Sequence, residues 1–171
     1  MDNTSEYGNG IRDLENITFK NMTVINTSEY GNGISMSNAK VELVDVAVKG
    51  CKRYALYMKT STSESTLVAT RCEFADSARG AGVHGTISSL TSATFNNCVF
   101  HDNENDGIQV ADHATMHFHG EATAIHSNGG CGIFAVALAK VHIHLPSHHN
   151  TFYNNGGEDR NVSVGATITN V

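Results

Sequence analysis

Histidine is where this chain is chemically conspicuous. Ten of its 171 residues are His, and four of them form two H-x-H pairs. MHFHG carries His117 and His119, and VHIHL carries His142 and His144, 25 positions on. Alternate residues of a strand share one face. Two such strands side by side would set the four imidazoles in a rectangle, roughly 4.8 Å across the strands and roughly 6–7 Å along them. Neutral imidazole is a ligand for Zn²⁺, Cu²⁺ and Ni²⁺, so zinc is one expected cofactor. The alternative is a solvated patch that merely covers the sheet.

A second candidate is the turn Asp102-Asn-Glu104-Asn-Asp106-Gly107. Alternating oxygens with Gly at the sixth place resemble the opening of a calcium loop. The apolar residue comes one place early, at Ile108, and position twelve is His113, not Glu. Asp76, one repeat earlier, is placed to add an oxygen. Calcium at Asp102, Glu104 and Asp106 is therefore the other expected cofactor, against the alternative of an ordinary polar corner. Tyr57 and Phe134 are expected to face outward and, with Asp76, to be ligand-binding candidates. They fall three repeats apart, too far for one subsite. Polysaccharide cleavage needs an acid, a base and a cation on one face. The acidic group has no Arg or Lys column beside it.

These residues must be positioned by short strands, because apolar pairs two apart recur about every 25 residues. One family is Ile17/Phe19, Val41/Leu43, Leu67/Ala69, Ala93/Phe95, Met116/Phe118, Val141/Ile143 and Ala166/Ile168. A second is Met22/Val24, Val46/Val48, Cys72/Phe74, Cys98/Phe100, Thr123/Ile125 and Asn150/Phe152. A third is Ile34/Met36, Leu56/Met58, Val83/Gly85, Ile108/Val110, Ile133/Ala135 and Val162/Val164. Three strands per repeat at a fixed period predict an all-β parallel solenoid of about seven rungs. Residues 1–171 then form a single domain. A polar corner follows the second strand: Asn26, Gly50, Asp76, Asp102, Ser127, Asn154. Glycine tends to precede the third (Gly33, Gly82, Gly107, Gly132), which suggests a tight or left-handed backbone. His101 and His126 are expected to stack on the second face near Tyr153. Tyr7, Tyr30 and Tyr54 are expected to stack at one turn.

FNNCVFHDNENDGIQV and AIHSNGGCGIF resemble the right-handed parallel β-helix repeats of the pectate-lyase-like superfamily, including its carbohydrate-binding and sugar-hydrolase repeat branch. The resemblance covers nearly the whole chain and implies a right-handed coil. It spans lyases, hydrolases, C5-epimerases and non-catalytic repeats, so it does not choose an activity. The paired Asp motifs and the Arg-x-Lys of pectin hydrolases are absent. The reading it leaves is a non-catalytic module presenting a flat sheet to carbohydrate or protein; the alternative is a polysaccharide lyase, hydrolase or C5-epimerase, or a fragment of one. Residues 3–11 and 26–34 are both NTSEYGNGI. Such identity suggests a recent or engineered duplication. Separately, the sequence shows no capping element at either end and fewer rungs than the enzymes it resembles, so the chain is expected to be a fragment or to cover its ends by pairing with another copy. Unpaired rungs are expected to favour a homo-oligomer through ends or edges.

Composition narrows the partners. The formal net charge is −6, with 17 acidic and 11 basic residues, which argues against nucleic acid and anionic membrane surfaces. No run of 18 apolar residues occurs, and the start, MDNTSEYGNG, is not a signal peptide. Cys51, Cys72, Cys98 and Cys131 suggest no disulfide framework, which favours reduced thiols and the cytoplasm.

Overall fold

The computed structural model describes residues 2–3, 8–11, 15–60, 62–120, 122–144, 151–163 and 165–171, the first two by backbone alone. Tyr7, Asn150 and Val164 lie outside the described residues. β1 (Asp2–Asn3) lies beside the end of β2 (Ile17–Asn26). β3 (Ile34–Met36), β4 (Lys40–Lys49) and β5 (Tyr54–Met58) follow. Next come β6 (Ser65–Thr70), β7 (Glu73–Ala75), β8 (Arg79–His84), β9 (Thr91–Asn96), β10 (Val99–His101) and β11 (Ile108–Ala111). β12 (Thr115–His119), β13 (Ala124–His126), β14 (Ile133–Ala135), β15 (Lys140–Ile143), β16 (Thr151–Tyr153), β17 (Arg160–Val162) and β18 (Thr167–Asn170) complete the chain.

Every named strand pair is parallel and joins one turn to the next, so the chain is a β-solenoid of about six turns. The first column is β2, β4, β6, β9, β12, β15 and β18. The second column runs from the far halves of β2 and β4 through β7, β10, β13 and β16. Because β2 and β4 pass unbroken from one column into the other, the two columns form a single 12-stranded sheet. The third column, β3, β5, β8, β11, β14 and β17, is a separate six-stranded sheet.

The corners explain many polar residues. Asn21, Asp45, Arg71 and Asn97 turn the chain from the first column to the second at φ between 52° and 55°, and Gly120 does so at 87°. Gly50, Asp76, Asp102, Ser127 and Asn154 turn it toward the third, again with positive φ. Asn and Asp tolerate this left-handed region better than other side chains, and Gly adopts it freely.

Inside the coil the apolar pairs stack. Phe100 faces Phe74 on one side and Ile125 on the other, and its ring stacks on Phe74 with centroids 4.9 Å apart. Phe95 meets Phe100 edge-on at 5.0 Å and lies 5.9 Å from Phe118. All four rings are almost wholly buried. At the two ends the core opens, with Ile17 41% and Val162 47% exposed.

Three apolar pairs sit two residues from their expected partners. Leu56 and Met58 face Ala81 and Val83, so Gly85 is not in the column. Ile133 and Ala135 face Arg160 and Val162, and Val141 faces Ile168 where Ala166 was expected. A slip of two keeps every side chain on its own face, so apolar alternation cannot detect it. The glycine column differs in the same way. Gly33, Gly80, Gly107 and Gly132 occupy it, with Ala55 between the first two, while Gly82 faces outward beside Tyr57 and Gln109. These glycines are not left-handed. They are tight: a Cβ on Gly107 would come within 2.9 Å of the Gly132 carbonyl oxygen, and one on Gly132 within 2.6 Å of that of Asp159.

Beside the core runs an amide ladder, one position after the left-handed corner. Ser77 N–H donates to Asn103 Oδ1 (3.2 Å), and Asn103 Nδ2 donates to Asn128 Oδ1 (2.9 Å). Asn128 Nδ2 in turn donates to Asn155 Oδ1 (3.0 Å) and to the carbonyl of Phe100 (3.2 Å). Ser77, Asn103 and Asn128 are buried.

Two substitutions test this architecture. Phe100→Asp buries an unpaired carboxylate, and chemical denaturation should show a loss of at least about 3 kcal/mol. Asn128→Ala leaves the Phe100 carbonyl and two neighbouring amides short of partners, at about 1–3 kcal/mol for each group that stays dry. Unchanged melting in either variant would refute the register.

Candidate functional site

The histidine pairs lie where alternation puts them. Met116 and Phe118 of β12 and Val141 and Ile143 of β15 fill the core, so the residues between them face outward. β12 and β15 pair with His117 opposite His142 and Phe118 opposite Ile143. His144 N–H donates to the Phe118 carbonyl (3.0 Å), which brings its ring to the level of His119. All four side chains are half-buried.

The rectangle is sheared. The rings of His119 and His144 stack at 3.8 Å and those of His117 and His142 at 5.1 Å. Across the diagonal, His117 Nδ1 lies 2.9 Å from His144 Nε2, close enough for one nitrogen to donate to the other. His142 instead turns its Nδ1 to the Thr169 hydroxyl at 3.1 Å. Among the described residues, His117, His119 and His144 each offer a nitrogen, all within 4.8 Å of one another. Burial lowers the pKa of His117, and His142, His144 and His119 push it the same way. Burial and the neighbouring His144 lower that of His119. Both rings thus favour the neutral form, the form that ligates metal.

The acidic turn is arranged differently. Asp102 and Asp76 are left-handed corner residues on successive turns. Asp102 Oδ2 lies 2.7 Å from His101 Nδ1, and Asp106 Oδ1 accepts from the Cys131 backbone N–H at 2.9 Å. Asn103 points inward to the amide ladder, and Glu104 is exposed. The structure does not gather Asp102, Glu104 and Asp106 around one point.

On the six-stranded sheet, Tyr57 and Phe134 share an outward column with Gly82 and Gln109 between them. Tyr54, which no spacing argument placed here, stacks on Tyr57 at 4.9 Å. Gly82 makes room for it, since a Cβ there would come within 2.6 Å of the Tyr54 ring. The Tyr54 hydroxyl donates to Gln109 Oε1 (2.6 Å). The His84 ring meets the edge of Tyr57 at 5.3 Å. Tyr30, one turn earlier, is half exposed.

Sequence reasoning also missed a charged network on the second column. Glu73 Oε1 bridges Lys49 Nζ (2.6 Å) on the preceding turn and His101 Nε2 (2.8 Å) on the following one. His101 also meets Asp102, and its ring stacks on His126 at 5.2 Å, which stacks on Tyr153 at 4.5 Å. The His101–His126–Tyr153 stack is visible in the repeat, but Glu73 and Lys49 stand in different outward columns and touch only across turns. Burial opposes charge on His101, yet Asp102 and Glu73 together raise its pKa. Burial likewise opposes charge on Glu73, and Lys49 and His101 together lower its pKa.

Comparison with known proteins agrees with this architecture. Residues 6–170 match the family described as the right handed beta helix region. The chain therefore belongs to the right-handed β-helix family. No curated protein and no solved structure matches it. Among the described residues no helix is long and apolar enough to cross a membrane.

The network has a sign that can be measured. His101 has a raised pKa, so its contribution is full below the unfolded value of roughly 6.5 and fades as pH rises through the folded one. Glu73 has a lowered pKa, so its contribution holds above roughly 4.3 and fades as pH falls through the folded one. His101→Gln should therefore lower the melting temperature more at pH 6 than at pH 8.5. An equal loss at both values would mean that His101 is not held as a cation.

Proposed function

We propose that the protein is a non-catalytic β-helix module that presents the flat outer face of its first column to a carbohydrate or protein ligand. One observation carries this reading: an in-register outward ladder of Thr18, Glu42, Val68, Thr94, His117, His142 and Thr169 across seven strands. A ladder of polar groups, broken once by Val68, at one fixed step complements a repeating or extended polar chain. At its first turns the face holds a shallow groove of about 410 Å³, lined by Thr18, Lys40, Glu42, Thr66 and Val68 among others. The groups there are spent on one another: the Thr18 hydroxyl donates to Glu42 (3.0 Å), and Lys40 pairs with Glu64 (3.1 Å). Such pairing suits recognition better than proton transfer, which needs an acid and a base free to exchange protons with substrate.

The test is a calorimetric screen against neutral and acidic oligosaccharides, with product analysis of each mixture. Cross-linking to candidate protein partners is its second arm. A ligand should bind without being cleaved. Val68→Asp, at an outward groove position, should weaken binding by about 1 kcal/mol, roughly fivefold, without unfolding the chain. Turnover of any saccharide, or ligand binding indifferent to the groove, would overturn the reading.

A further inference from the structure

We propose that His117, His119 and His144 bind one transition-metal ion of the zinc, copper or nickel class on the outer face of the first column. This goes beyond the groove-binding reading: the groove lies on the first turns and these histidines on later turns of the same outward face, and metal binding is measured apart from ligand binding, so either can fail alone.

The argument begins with donor type. Three imidazole nitrogens within 4.8 Å of one another form an all-nitrogen set. Such donors suit borderline ions and not Ca²⁺ or Mg²⁺, which require oxygen. Tetrahedral zinc–nitrogen bonds of about 2.0–2.1 Å place ligand nitrogens about 3.4 Å apart. His117 Nδ1 and His144 Nε2, at 2.9 Å, need to part only slightly, and the ion takes the place of the hydrogen they share. His119 offers a nitrogen within 4.8 Å of both, on a ring stacked face to face on His144, and turns about its side-chain torsions to aim its lone pair at the ion.

The surroundings favour neutral ligands. His117 and His119 face Thr94 and Asn96 of β9, so the flanking partners of these two ligands on that strand carry no charge, and on the other side His142 faces Thr169 of β18. No carboxylate stands in those positions to hold an imidazole as a cation, in contrast to His101. The backbone supplies the remaining order. His117 and His119 lie in β12, and His144 directly follows β15; the residues between and before them, Phe118 and Ile143, are buried, so the ion meets backbone positions held in place before it arrives. Three protein ligands on an outward face leave the remaining coordination to water.

His142 is outside the set. Its Nδ1 is engaged by Thr169, and its ring lies 6.4 Å from that of His144. This separates a built three-ligand site from a general histidine patch, in which all four residues would matter alike.

The experiment is calorimetric titration of Zn²⁺ into the untagged chain at pH 7.5 and again at pH 5.5, with melting curves to confirm that each variant is folded. One equivalent should bind at pH 7.5. His119→Ala and His144→Ala should each weaken it at least about tenfold, the scale on which removal of even outer-shell support acts. His142→Ala and His84→Ala should leave it unchanged. At pH 5.5 protons compete for all three nitrogens, and affinity should fall at least about tenfold. Equal affinity at the two pH values would overturn the assignment. So would parental affinity in folded His119→Ala and His144→Ala, or an equal loss in His142→Ala.

Discussion

Backbone hydrogen bonds between parallel strands of successive turns set the position of every side chain in this protein. Each turn must bring the chain back to the same height and angle, or the next strand cannot pair in register. This requirement explains why the inward pairs recur, why the corners are left-handed and mostly carry Asn, Asp or Gly, with Arg71 and Ser127 as departures, and why a glycine column leaves no room for a Cβ against the next turn. It also makes function collective. One residue type at one outward position becomes a stack as soon as two turns share it.

The two histidine stacks show how much the neighbouring column matters. His101 and His126 on the second column stand next to Glu73 and Asp102, which raise the pKa of His101. His117 and His119 on the first column stand among uncharged partners and other imidazoles, and their pKa values are lowered. The charged form is thus favoured at His101 and the neutral form at His117 and His119, while burial and the neighbouring His101 lower the pKa of His126 in His101's own stack. Solvent exposure does not separate His101 from the other three, since all are half-buried. The two carboxylates in contact with it, Glu73 and Asp102, do.

Much of this was legible from spacing alone. The parallel coil, the inward position of Phe100 between Phe74 and Ile125, and the pairing of His117 with His142 all follow from period two within a strand and about 25 between turns. Three registers were placed two residues off, at Ala81/Val83, Arg160/Val162 and Ile168/Asn170, because loops of unequal length absorb a slip that leaves each face unchanged. The finer geometry was not legible. Whether His142 turns to Thr169 or to its neighbours depends on rotamers, not on period. The Lys49–Glu73–His101 bridge crosses columns, and a reading made one column at a time cannot see it. Tyr54 lies over Gly82 because a residue one turn away has no side chain, a relation with no trace in local pattern. The amide ladder does have a signal in the sequence: Asn103, Asn128 and Asn155 recur one place after the polar corner residues Asp102, Ser127 and Asn154.

That ladder bears on how the coil comes apart. Asn103 donates both to the carbonyl of Phe74 on the turn before and to Asn128 on the turn after. Asn128 repeats the pattern with Phe100 and Asn155. In a solenoid whose turns meet only their nearest neighbours, each interface unzips almost independently, and the ends fray first. A side chain tied to both adjacent turns couples those interfaces. The turns that Ser77, Asn103, Asn128 and Asn155 join should then open together, not one interface at a time, and Asn32, bonded to Asn9 on one side and to the Tyr54 N–H on the other, extends the same kind of tie to the first turns.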